Sequence, residues 1–387
     1  MKKRIYFDNA ATTIVDSRVL ESMIPYFTES YGNASSMHSF GATAKVVLLK
    51  ARKTLAECIS AQPEEIIFTS SGTEANNLAL KGIAMANRQK GMHIIVSAIE
   101  HDCILNTCRC LAAQGFSISY LPVDSDGMVE LHMLEKMIRK DTVMVSVMHA
   151  NNEIGTIQPI AAIGKICREH GVLFHSDACQ SFGKISLNVV DQNIDLLTLN
   201  AHKIYGPKGI GALYLRKGLS ITPLLHGGGQ EGGRRSSTEN IPAITGFAKA
   251  AEICMNEMRT EHHRISQMQD YFYNYLSENY EDFYLNGHRT KRLPHNLNFS
   301  FHGLEGEAIR LLLLFDESGI AVSAGSACSS NDKSNNASHV LQAIGLNQFE
   351  ARGAIRVSFG RFNTMDEVKT FAGTIGSVVG QLNSIFS

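Results

Sequence analysis

No part of this 387-residue chain stays apolar for long: its longest strongly apolar run, Leu311 to Phe315, is five residues. A membrane-spanning helix needs roughly 20, so none is expected. The basic opening Met1-Lys2-Lys3-Arg4 leads into no apolar stretch, so a secretory signal is not expected either. An excess of one charge is also missing. The 36 Lys plus Arg stand against 37 Asp plus Glu, a net charge of −1, which argues against broad electrostatic binding to nucleic acid or to an anionic membrane. There is no fixed-period repeat and no long low-complexity segment. A nucleotide-binding GxxxxGK[ST] is absent, and no GxGxxG follows a strand-like run. The eight cysteines, with no signal ahead of them, read as reduced thiols in the cytoplasm. Three of them, Cys103, Cys108 and Cys110, match no common zinc spacing and read as helix packing.

What is present is a globular composition, 44% hydrophobic and 19% charged, on a length that suggests two to three domains. From residue 64 to 215, short β-branched runs alternate with amphipathic stretches. The runs Glu65–Thr69, His93–Ser97, Thr142–Ser146, Val172–Ser176, Asp195–Leu199 and Gly211–Leu215 read as buried strands. Helix-length segments such as Glu74 to Asn87 and Ile160 to His170 lie between most of them. This is the pattern of an α/β domain with a mainly parallel sheet flanked by helices. A Gly-rich crossover occupies residues 221 to 245, and a polar helix is expected over Thr260 to Tyr280. Strands are expected around Asn296 to Phe301, Ile320 to Ser323 and Ala354 to Phe359, which make a smaller α+β domain. The division is drawn as 15–255 for the large domain, with 256–387 in the small one.

Polar residues cluster just beyond the strand-like runs, where α/β sheets bind ligands. Gly72-Thr73 opens a helix, whose unpaired N–H groups and dipole make a weak anion cup. Lys203 ends one run and Asp177 another. A phosphate cup, a lysine and an acid on adjacent strand ends suit pyridoxal 5'-phosphate: the lysine forms a Schiff base with its aldehyde, and the acid keeps its ring nitrogen protonated. His101 is then placed to stack on the ring and move protons. Cys328 sits in a polar stretch; nine of the ten residues after it are Ser, Asn, Asp or Lys. That composition predicts a mobile loop bearing a reactive thiol. Arg356 alternates with Ile355 and Val357, and reads either as a carboxylate clamp or as a solvated strand arginine.

These residues resemble the NifS/IscS-type cysteine desulfurases, in the class V aminotransferase group of fold-type I pyridoxal phosphate enzymes. The similar stretches include Phe7-Asp-Asn-Ala-Ala-Thr-Thr13, Phe68-Thr-Ser-Ser-Gly-Thr-Glu-Ala-Asn-Asn77, Glu100-His101 and Ala150-Asn-Asn-Glu-Ile-Gly155. They continue through His175-Ser-Asp-Ala-Cys-Gln180, Ala201-His-Lys-Ile-Tyr-Gly206, Gly325-Ser-Ala-Cys-Ser-Ser330 and Arg356-Val-Ser-Phe-Gly360. The resemblance implies that Lys203 holds the cofactor, Asp177 pairs with its ring nitrogen and His101 stacks on it. It further implies that Gln180 bonds the ring oxygen with Asn152 nearby. Thr73, Asn200 and His202 would hold the phosphate, joined by Thr238 from a neighbouring protomer of a homodimer. Arg356 would bind the carboxylate of L-cysteine, and Cys328 would carry the sulfur as a persulfide for an iron–sulfur scaffold or another acceptor. Residues 1–14 would join the small domain.

Asn200 stands where a phosphate-binding serine is common, which leaves its contact open. A selenocysteine lyase or another class V aminotransferase would share Lys203 and Asp177, and is the alternative. A nicotinamide dehydrogenase lacks its glycine fingerprint.

Overall fold

The β-branched runs form the centre of the molecule, in a computed structural model that describes residues 4–325 and 337–386. In chain order the strands are β1 Ile5–Tyr6, β2 Ile66–Thr69, β3 His93–Ser97, β4 Ser117–Leu121, β5 Thr142–Ser146, β6 Leu173–Asp177, β7 Leu196–Asn200, β8 Gly211–Leu215, β9 Phe283–Asn286, β10 Asn296–Phe301, β11 Ile320–Ala321 and β12 Ile355–Ser358. Seven of them make the main sheet, in the order β2-β8-β7-β6-β5-β3-β4. Only β8 runs against its neighbours, β2 and β7, so the other six point their carboxyl ends the same way.

The sheet is covered on both faces, which is why its strands read as continuous apolar runs. Alternate residues of β3 show the two-residue period directly: Ile95 joins one apolar cluster, Ile94 and Val96 the other. The first cluster takes Leu48 and Leu55 from the helix Ser39–Glu57, with Phe247 and Ile253 from the helix Ile241–Asn279. The second takes Leu78 and Ile83 from Gly72–Ala86, and Ile104 and Leu111 from Asp102–Ala112. The edge strand β4 escaped the sequence reading because it is half polar, with Ser117 and Tyr120 exposed.

The helix expected over Thr260 to Tyr280 is longer, running unbroken from Ile241 to Asn279. It therefore begins inside the stretch read as a crossover and passes straight through residue 255. Its second half packs on a separate apolar cluster under the antiparallel sheet β12-β10-β9. Phe272 of this helix stacks on Phe371 with ring centroids 4.8 Å apart. The N-terminal strand belongs here too: β1 pairs in parallel with β11, Ile5 beside Ile320, and Phe7 is fully buried in the same cluster.

Candidate active site

The chain leaves β2 and caps the next helix with Ser71, whose hydroxyl accepts from the Glu74 N–H at 3.1 Å. Gly72 and Thr73 then form the first turn, with N–H groups that have no partner in the helix. Gly72 has no room for a side chain: a Cβ there would stand 2.6 Å from Cys179 Sγ and 3.5 Å from Asn200 Nδ2. Asn200 thus lies against the helix N-terminus, where its amide offers a donor beside the backbone N–H groups. The substitution for serine keeps a polar group in place.

A cavity of about 190 Å³ opens in front of this turn, lined by Gly72, Thr73, His101, Asn152, Asp177, Gln180, Asn200, His202 and Lys203. It holds most of the residues singled out from the sequence. Thr238 is exposed and lies outside it; Arg356 does not line it either. Cys328 lies outside the described residues. Asn76, Cys103 and Cys179 also line the cavity and were not foreseen. Asn76 sits one helical turn beyond Gly72, so the spacing i, i+4 was the available signal. Cys103 faces the cavity while Cys108 is buried in the core, so packing alone does not describe that trio. Among the described residues no group of His, Cys, Asp or Glu is arranged to hold a metal ion.

Asp177 ends β6, 6% exposed, and both its oxygens are engaged. Oδ2 accepts from Asn76 Nδ2 at 2.7 Å and Oδ1 from the Cys179 N–H at 2.8 Å. Such bonds fix the carboxylate's position. His101 caps the helix Asp102–Ala112, its Nδ1 accepting from the Cys103 N–H at 3.1 Å. A neutral ring so held carries its proton on Nε2. Burial, and then the Lys203 charge, lower the His101 pKa below its ordinary value, so the ring is neutral at neutral pH. The same two causes bring His202 down to about 4.

The N-terminal segment holds the turn that carries Lys203. The Thr13 N–H and hydroxyl both donate to the His202 carbonyl, at 3.0 and 2.9 Å. The Tyr205 N–H donates to Thr13 Oγ1 at 2.9 Å. Tyr205 sits at a φ of 66°, a left-handed conformation that costs a non-glycine residue energy. Its hydroxyl accepts from the Arg361 N–H at 2.7 Å, and its ring lies 4.4 Å from the Arg361 guanidinium, which together hold it there. Gln180 Nε2 donates to the Ala10 carbonyl at 3.0 Å.

Arg356 is only 2% exposed, which overturns the solvated-strand reading. Its Nη2 donates to Asp8 Oδ1 at 2.8 Å and its Nη1 to the Asn152 carbonyl at 3.0 Å. Asn152 lines the cavity, so Arg356 stands immediately behind that wall.

Glu100, next to His101, is fully buried; Oε1 accepts from the Met148 N–H at 2.6 Å and Oε2 has no partner. Burial pushes its pKa well above the ordinary carboxylate value. The folded state therefore keeps a proton that the unfolded chain has released, and stability falls as pH rises above the unfolded value. Glu100→Gln keeps the acceptor and removes the charge. It is expected to raise the melting temperature at about pH 8 and far less at about pH 5, the difference reflecting about 1–3 kcal/mol. A gain that is equal at both pH values would contradict this assignment.

Two buried acceptors of residues that line the cavity, Gln180 Oε1 and Asn200 Oδ1, have no protein partner. The free N–H groups of Gly72 and Thr73 at the helix N-terminus and the anchored Asp177 fit a ligand that carries both a phosphate and a hydrogen-bonding aromatic ring.

Comparison with known proteins agrees. Residues 5–371 match the model of the aminotransferase class-V family. A cysteine desulfurase IscS of Dictyoglomus turgidum is 47% identical over 385 residues, covering 100% of this chain and 97% of that protein. One of the same name from Methanosarcina thermophila is 47% identical over 383 residues, covering 99% and 94%. Among solved structures, a NifS-like protein superposes with a TM-score of 0.91 at 39% identity, covering 97% of this chain and 99% of that one. The structure titled SspA in complex with cysteine has a TM-score of 0.82 at 39% identity, covering 93% and 100%. With a full-length family match and relatives this similar along their whole length, the chain belongs to the class-V aminotransferase family, on its cysteine desulfurase branch.

Proposed function

We propose that this protein removes sulfur from L-cysteine, releasing L-alanine and collecting the sulfur as a persulfide on Cys328, with pyridoxal 5'-phosphate as cofactor. The observation that carries the reading is the placement of Lys203, Asp177 and the Gly72 helix N-terminus around one cavity. When bound, the cofactor draws electrons from the substrate Cα and makes its proton labile. Lys203 would hold the cofactor aldehyde, and its amine is placed to move the substrate Cα proton. Asp177, fixed by Asn76 and the Cys179 N–H, keeps the ring nitrogen protonated. The Gly72 and Thr73 N–H groups, with Thr73, Asn200 and His202, receive the phosphate. Gln180 would bond the ring oxygen, and His101, neutral with its proton on Nε2, would stack on the ring. Asn152 and Arg356 take the substrate carboxylate. The Cys328 thiolate forms the new S–S bond as the substrate C–S bond breaks, and the pair left on the substrate β-carbon takes up a proton to give alanine.

Purified protein given L-cysteine and a reductant is expected to yield alanine and sulfide in equal amounts. Amino-group transfer to a keto acid in place of that yield would favour an aminotransferase. Faster release from selenocysteine alone would favour a selenocysteine lyase.

The working unit in this reading is a homodimer in which Thr238 of the partner subunit completes the phosphate site. A concentration of exposed apolar side chains between residues 20 and 40 supports it: Leu20, Ile24, Phe27, Tyr31, Met37 and Phe40 all stand open to solvent. Sedimentation is expected to give twice the mass of 42.4 kDa; a monomer at micromolar concentration would refute the shared site. The persulfide is passed to an acceptor such as an iron–sulfur scaffold protein, in the cytoplasm. All the described cysteines are free, which accords with a reducing compartment.

A further inference from the structure

A guanidinium buried as deeply as that of Arg356 needs a counter-charge. Asp8 supplies it, with its side chain 18% exposed and Oδ1 2.8 Å from Arg356 Nη2. The backbone enforces the meeting, because Asp8 bridges to Ser358, two residues beyond Arg356 on the same strand. Of the remaining guanidinium nitrogens, Nη1 is committed to the Asn152 carbonyl, and Nε is buried with no partner. Arg356 is thus already matched by a carboxylate, the same group it takes from the substrate in the function proposed above.

We propose that Asp8 is a resident carboxylate on Arg356, and that an amino acid binds by exchanging its own α-carboxylate for that of Asp8. The inference rests on the reading of Arg356 as the substrate's carboxylate site. Two consequences follow from charge. Exchange leaves Asp8 less well paired in a partly buried place, so it weakens substrate affinity. It also leaves a fixed negative charge beside the bound amino acid, which repels ligands with a second anionic group. Asp8 lies within the field of Lys203 as well as Arg356. It therefore tempers the charge of Lys203, which lines the cavity, and of Arg356 behind its wall, and sets the site for a zwitterion with a neutral side chain.

Asp8→Asn tests this, since it keeps the shape and an acceptor for Arg356 while removing the charge. Binding to the holoenzyme is measured by calorimetry with L-alanine, with L-alaninamide, which lacks the carboxylate, and with L-aspartate. Asp8→Asn is expected to tighten L-alanine about three- to tenfold, to tighten L-aspartate further, and to leave L-alaninamide unchanged. The KM for L-cysteine should fall by a similar factor with little change in kcat. Equal or weaker L-alanine binding in Asp8→Asn overturns the exchange, as does an equal effect on L-alanine and L-alaninamide, which is what a merely structural role would give. Arg356→Lys separates the two levels. If it weakens L-alanine while Asp8→Asn changes nothing, only the exchange fails. If it leaves L-alanine binding unchanged, the carboxylate site itself is misplaced and the exchange falls with it.

Discussion

Lys203→Ala is expected to abolish desulfuration and to purify without the bound-cofactor absorbance of the parent protein. The loss should reach at least about 10³-fold, because in the proposed function one side chain would both secure the cofactor covalently and move the substrate proton. The surrounding structure argues for so large an effect. Lys203 sits on a turn clamped by Thr13 and braced by a strained Tyr205, so it is held in place before any ligand arrives. Neighbouring basic groups do not offer a substitute: the other basic side chains lining the cavity, His101 and His202, are imidazoles and cannot form the Schiff base that an amine makes. Borohydride treatment of the parent protein should fix the cofactor to the peptide containing residue 203. Retained activity in Lys203→Ala, or a label on another peptide, would remove the basis of the proposed function.

The second large effect is expected at Cys328. Cys328→Ala should still bind L-cysteine and shift the cofactor's absorbance, yet release neither alanine nor sulfide above background. The cysteines facing the cavity are poor replacements. Burial pushes the Cys103 thiol up to about 12 and that of Cys179 well above its ordinary value, so neither supplies a thiolate near neutral pH. Mass spectrometry of the parent protein after brief exposure to L-cysteine should find one extra sulfur on the Cys328 peptide. Normal turnover by Cys328→Ala would reject the persulfide route.

Much of this arrangement is legible in the sequence because it depends on local pattern. Strands β3 and β5 are buried on both faces, so their apolar runs mark them within a residue. The residues just past those runs fall on one rim because six of the seven strands share a direction. What the sequence hides is the long-range pairing. Nothing local indicates that Asn76 reaches Asp177 across 101 positions, or that Asp8 meets Arg356 across 348. The Phe7–Thr13 stretch carries a family resemblance, but its work of clamping the Lys203 turn and supplying the Arg356 counter-charge is visible only when folded. Arg356 itself reads ambiguously, because alternation along a strand cannot tell a solvent-facing side from one covered by another segment.

The pairing of β1 with β11 and of Asp8 with Arg356 also bears on how the protein is made. Asp8 leaves the ribosome 348 residues ahead of its partner, a wait of roughly tens of seconds at ordinary translation speeds. The seven-stranded sheet can assemble during that interval, but the wall of the site behind Asn152 cannot close until Arg356 has emerged. A nascent chain therefore completes the Arg356 side of the cavity last, after the rest of the rim has been made.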